Sequence, residues 1–118
     1  MSDHGKPVHG ELHSSNASSG VEIQLYEAGS NDEYELQEDE FLTVSSVLVS
    51  NDDGAGDIHV HFGESPSAGS TIVRANMAAN TSISHTPLSR CGARGEKPHV
   101  TAPAGDIDVL LTGYVTRA

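Results

Sequence analysis

The feature that most constrains this chain is a succession of short period-two and β-branched segments, spaced by turn residues, with no helical stripe in any window. Val21-Glu-Ile-Gln-Leu-Tyr26 alternates apolar and polar residues, the pattern of a strand with one buried face. Phe41-Leu-Thr-Val-Ser-Ser-Val-Leu-Val-Ser50 is rich in β-branched residues and runs into the turn signal Asn51-Asp-Asp-Gly-Ala-Gly56. Asp57-Ile-His-Val-His-Phe62 then reads as the returning strand of a hairpin. Ser70-Thr-Ile-Val-Arg74 and Thr81-Ser-Ile-Ser-His85 are shorter strands split by a turn at residues 78–80, and Pro98 to Thr101 adds another. The last, Asp106-Ile-Asp-Val-Leu-Leu-Thr-Gly-Tyr-Val-Thr116, is the longest. About seven strands at intervals of roughly 8–12 residues indicate an all-β chain, a single β-sandwich or jelly-roll-like domain.

At 118 residues the chain supports one domain. Two Phe, three Tyr and no Trp leave the core to Val, Ile, Leu and Ala. A core so light gains from oligomerisation, because a partner that binds only the folded state stabilises it. Residues 1–20 are mostly Ser, Gly, His, Asn and other polar types, with Val8, Leu12 and Ala17 as the apolar content. Such a composition does not offset the entropy of ordering a chain. The expected organisation is therefore a polar extended arm over 1–20, fixed by a neighbour through Val8 and Leu12, and a sandwich over 21–118.

The formal charge of −11 argues against nucleic acid, whose affinity rests on Lys and Arg at phosphates. Residues 1–64 hold fourteen acids and a single Lys, whereas 65–118 hold three acids and five bases: Arg74, Arg90, Arg94, Lys97 and Arg117. The basic loop with Arg90, Arg94 and Lys97, and Arg74 near it, is the candidate contact patch, since a guanidinium pairs well with carboxylates and is weakly hydrated. In a homo-oligomer it would meet the acidic 32–40 stretch of the next subunit. Cys91 is alone, so no disulfide forms within the chain. The first residues lack the basic and apolar regions of a secretory signal, and no apolar run approaches a membrane-spanning length. The expectation is a protein made in a cytosol that binds neither nucleic acid nor membrane.

Few residues suggest chemistry. His59 and His61 lie two apart on an expected strand, as metal ligands do in cupin barrels, with Glu64 following and His85 or His99 as a possible third nitrogen. The spacings depart from the cupin pattern: position 53 is Asp where Gly is wanted, and only two residues separate His61 from Glu64. The two rings are read as polar groups on the solvent face, and no metal or other cofactor is expected. Asn51 to Asp57 lacks the carboxylate that would close a calcium loop, and Cys91 has no identifiable base. No catalytic residue is expected and the chain is read as a non-enzyme.

Leu42-Thr-Val-Ser-Ser-Val-Leu-Val-Ser-Asn51, the Gly-rich turn, Ile58-His-Val-His-Phe62, Ala78-Ala-Asn80 and the ending Ala104-Gly-Asp-Ile-Asp-Val-Leu-Leu-Thr-Gly-Tyr114 together carry a resemblance. Residues 41–118 resemble small β-sandwich proteins of tailed-phage structural gene clusters. The resemblance implies a capsid decoration or cement protein on the virion exterior, binding the major capsid protein and assembling as a homotrimer. The alternatives are a receptor- or carbohydrate-binding fibre head, and a cupin-like metal enzyme using His59, His61 and Glu64.

Overall fold

The computed structural model describes residues 5–14, 17–52, 56–102 and 106–117. Eleven strands account for nearly all regular structure: β1 (Lys6–Ser14), β2 (Val21–Glu22), β3 (Gln24–Glu27), β4 (Glu33–Tyr34), β5 (Glu40–Asn51), β6 (Gly56–Phe62), β7 (Thr71–Met77), β8 (Thr81–His85), β9 (Arg90–Cys91), β10 (Pro98–Thr101) and β11 (Ile107–Arg117). One 3-10 turn, Ala68–Ser70, precedes β7. The larger sheet runs β4-β3-β1-β11-β5-β8, with β9 also on β5, and the smaller runs β2-β10-β6-β7. Every pairing is antiparallel, so the all-β sandwich expected from the strand pattern is what the chain forms.

The long strands follow from composition. The inward positions of β5 are Leu42, Val44, Val47 and Val49, and those of β11 are Ile107, Val109, Leu111 and Val115, all at most 4% exposed. The pleat sends alternate residues to opposite faces, so these rows meet Ile58, Val60, Phe62 and Val100 of the smaller sheet in one core. Within β5 a step at Ser45 and Ser46 matches a bulge between Thr112 and Gly113, which keeps both halves facing the core.

Three sequence expectations change. Over residues 6–14 the expected arm is instead β1, hydrogen-bonded to β11 on one side and β3 on the other. Its inward positions are Val8, Gly10 and Leu12; Gly10 leaves its place to Ile23 and Leu111, whose side chains would lie about 3 Å from a Cβ there. The apparent strand 21–26 is broken at Ile23, which is fully buried, and its halves join different sheets. The expected β5–β6 hairpin does not form. Both edges of β5 are taken, by β11 and by β8 with β9, and β6 pairs with β7 and β10 across the sandwich.

Glu40, at the start of β5, is a carboxylate with only 4% exposure. It accepts hydrogen bonds from the Tyr34 hydroxyl at 2.6 Å, the Gln37 amide at 2.8 Å and the Arg117 guanidinium at 3.2 Å. Burial pushes its pKa up, but these three donors outweigh burial and hold it below the usual carboxylate value. Burial and the bond to Glu40 raise the Tyr34 phenol well above its ordinary range. A folded pKa below the unfolded one stabilises at neutral pH and is lost as pH falls through the folded value. Glu40→Gln is therefore expected to lose about 1–3 kcal/mol at pH 7. In urea titrations the gap to the unmodified chain should narrow below about pH 4, where the carboxyl takes up its proton; a constant gap would show that the charge is immaterial.

Candidate docking surface

The larger sheet turns one face to the core and the other to solvent. On the outer face Leu110 of β11 stands directly opposite Leu48 of β5, and they are 46% and 39% exposed. Tyr114, four residues along β11, is 41% exposed on the same face. These are the large exposed hydrophobics among the described residues. Around them lie hydroxyls: Ser46 and Thr112 share a hydrogen bond of 2.5 Å, and Ser50 and Ser82 one of 3.1 Å. Ser84 of β8 is the neighbour of Leu48 on the other side. The edge strand β8, Thr-Ser-Ile-Ser-His, has no Asp, Glu, Lys or Arg, and three of its five residues carry hydroxyls. Folded sheets commonly guard an edge with Lys or Pro; β8 carries neither.

The sequence-expected site residues are scattered. Val8 is 2% exposed and packs into the core, so it offers nothing to a partner, and Leu12 packs partly buried against the same cluster. Arg74 lies on β7 of the opposite sheet, where its Nε and Nη2 donate to Asp57 at 3.0 and 2.6 Å. That pairing raises the guanidinium's pKa and lowers that of the carboxyl. Lys97 donates to Glu35, so one pairing expected between subunits is made inside the chain. Arg117 likewise meets Asp39 at 3.3 Å as well as Glu40. Arg90 is exposed on β9, and Arg94 lies 5.9 Å over the Phe41 ring. Of the six residues, Arg90 and Arg94 remain as cations with no carboxylate in hydrogen-bond reach among the described residues; β9 places Arg90 beside Val44 of β5, and Arg94 follows in the next segment.

The histidines overturn the solvent-face reading. His59 is 7% exposed, His61 fully buried and His99 8% exposed, with the His61 ring 5.1 Å from that of His59 and 6.0 Å from that of His99. They share the outer face of the smaller sheet, but each is bonded separately: His59 Nε2 to Thr71 Oγ1 at 2.7 Å, His61 Nε2 to Thr101 Oγ1 at 2.8 Å, and His99 Nδ1 to the Lys97 carbonyl at 3.0 Å. Glu64 is exposed in the segment after β6. Ligand atoms within 4.8 Å of one another occur instead at His13, Asp52 and Asp108, all exposed, where His13 Nδ1 bonds Asp108 at 2.7 Å. That bond raises the His13 pKa, and burial with Asp108 alongside raises that of Asp52. Cys91 is exposed on β9.

Sequence reasoning missed the Leu48–Leu110 pair because Val47-Leu48-Val49 and Leu110-Leu111 are unbroken apolar runs that do not reveal which residue faces out. The available signal was the alternation from Ile107 through Val109 and Leu111, which assigns Leu110 to the other face.

No protein-family model matches the chain, and no curated protein matches it in sequence. Among solved structures, one reported under "Bacillus endospore appendages form a novel family of disulfide-linked pili" is similar at 13% identity, over 99% of this chain and 94% of that one, with a TM-score of 0.49.

Proposed function

We propose that the chain is a non-catalytic structural subunit of a larger assembly, of the capsid decoration type, and docks through the outer face of its larger sheet onto a shell of major capsid subunits. The observation that carries this reading is the Leu48–Leu110 pair with Tyr114 on the outer face, bordered by hydroxyl residues of β5 and β8 on one side and by Glu11 of β1, opposite Leu110, on the other. Apolar side chains ringed by polar ones fit the anatomy of an interface, with a dry centre and a hydrated rim. In a chain of net charge −11 the β5–β8 side of this patch, which carries no Asp or Glu on its outer face, is where a second surface meets the least repulsion. Arg94, in the segment after β9 and 5.9 Å over the ring of Phe41 in β5, supplies a guanidinium group for carboxylates of the shell. The resemblance of residues 41–118 to phage structural sandwiches supports the shell as partner and a homotrimer as the docked unit.

Light scattering on the isolated chain and sedimentation with empty shells, assembled from the major capsid protein encoded in the same genome, test this. The expected result is a trimer that pellets at a fixed ratio to shell subunits. A chain left in the supernatant overturns the decoration reading.

A further inference from the structure

Segment 63–70 crosses the outer side of the smaller sheet and contributes no residue to the core. It is held by few bonds. The Gly63 amide donates to the Lys97 carbonyl at 2.9 Å, and Thr71 Oγ1 donates to the Ser67 carbonyl at 3.0 Å. That hydroxyl's single proton is thereby used, so His59 Nε2–H is the donor in the 2.7 Å bond to Thr71. His59 is thus tied through Thr71 to the 3-10 turn. His61 is bonded through Nε2 to Thr101, whose hydroxyl sits where the Glu64 backbone meets Gly20: a Cβ on Gly20 would lie 3.0 Å from the Glu64 carbonyl and 3.4 Å from Thr101 Oγ1. The other nitrogen of His61, Nδ1, is buried with no hydrogen-bond partner.

We propose that His59 and His61, packed with His99 on the outer face of the smaller sheet, form an acid-sensitive latch that holds segment 63–70 closed while neutral and releases it on protonation. A proton on His61 makes it a buried cation beside His59 and His99 whose Nδ1–H has no acceptor, and both the charge and the unpaired donor are costly out of water. Burial lowers the pKa of both His59 and His61; Arg74 adds to the effect at His59 against Asp57, and at His61 the adjacent rings add to it while the Phe62 and Gly63 backbone opposes it without reversing it. The charged groups facing the cluster do not reverse this. Asp57 of β6 is committed to Arg74 of β7, Glu22 of β2 lies opposite His99, and Glu64, Glu96 and Lys97 line an open depression at the edge of the cluster. The least costly way to hydrate a protonated ring is to lift the cover that contributes least to the core, which is segment 63–70.

The sign follows from linkage. Folded values below 6.5 mean that the closed state holds fully above that pH and weakens as pH falls through it. With a value of 6.5 when open, the favouring of opening at pH 5.5 has a ceiling of roughly tenfold per ring, and it is smaller the closer the closed value lies to 6.5.

The test is hydrogen exchange of amides 63–71 and of β6 between pH 7.5 and 5.5, corrected for the intrinsic pH dependence of exchange, alongside an NMR titration of the imidazole nitrogens. The expected result is opening that rises severalfold at pH 5.5, protection in β5 and β11 that changes much less, and His59 and His61 titrating below 6.5. In His59→Gln/His61→Gln, where an amide that does not titrate takes the place of each Nε2 in its hydrogen bond, the acceleration should vanish. Rings that titrate at or above 6.5, or the same acceleration in the variant, would overturn the latch. The titration needs no variant, so a misfolded substitution leaves that arm decisive.

Discussion

A chain lacking residues 1–14 is expected not to fold. β1 occupies an interior position of the larger sheet, bonded to β11 along its whole length and to β3 along part of it. Without it, β3 and β4 lose their link to the rest of the sheet, and one edge of β11 is exposed, with Val109, Leu111 and Val115 uncovered on that side. Val8 and the partly buried Leu12 leave the core as well. Each fully buried aliphatic side chain contributes about 1.5–3 kcal/mol by burial alone, and a domain of this kind has only about 5–15 kcal/mol in total. The truncated chain should therefore show no cooperative urea transition and no slowly exchanging amides in β11. A cooperative transition at the full-length midpoint would contradict the placement of β1 and restore an arm that docks elsewhere.

The second large effect sits at one atom. A Cβ on Gly113 would lie 2.2 Å from the Thr43 carbonyl oxygen and 3.2 Å from the Val44 Cα, at the bulge where β11 and β5 change register. Both obstacles are backbone in the best-packed part of the molecule, so neither swings aside as the end of a side chain would. Gly113→Ala must push the two strands apart and is expected to cost about 3 kcal/mol or more, at the upper end of overpacking effects. Gly69→Ala serves as the control, since nothing lies within 4 Å of its added methyl, and its effect should stay within about 0.5 kcal/mol. Equal urea midpoints for the two variants would show that the bulge tolerates the methyl and that the close approach is not fixed.

The strands that dominate the core were the legible ones. β5, β6 and β11 carry enough β-branched and apolar residues that local pattern and buried face agree. β1 was illegible because one of its inward positions is a glycine. The period of two is there in Val8, Gly10 and Leu12, but Ile23 and Leu111 fill the middle of it from elsewhere in the chain. The break at Ile23 and the routing of β6 across the sandwich are likewise decided by partners distant in sequence. A Gly-rich turn after β5 serves equally for a hairpin and for a crossing between sheets; the occupied edges of β5 decide.

At the surface, sequence located the basic residues but not their partners. Arg74 and Lys97 are taken up within the chain, leaving Arg90 and Arg94 facing outward. The spacing of His59 and His61 did place both rings on one face. Burial of that face depends on segment 63–70 and β10, which no local pattern announces.

The proposed role rests on the outer face of the larger sheet, and co-sedimentation of Leu48→Glu/Leu110→Glu beside the unmodified chain tests it most directly. Both side chains already face solvent, so the double variant should still unfold cooperatively, its urea midpoint lowered modestly by carboxylates set opposite each other and opposite Glu11. Placing two carboxylates at the centre of the docking face should weaken binding to empty shells at least tenfold, the loss expected when central contacts worth more than about 1.4 kcal/mol are removed. The account predicts that the unmodified chain pellets with shells at a fixed ratio and that the folded variant stays in the supernatant. A variant that pellets as well as the unmodified chain would contradict it.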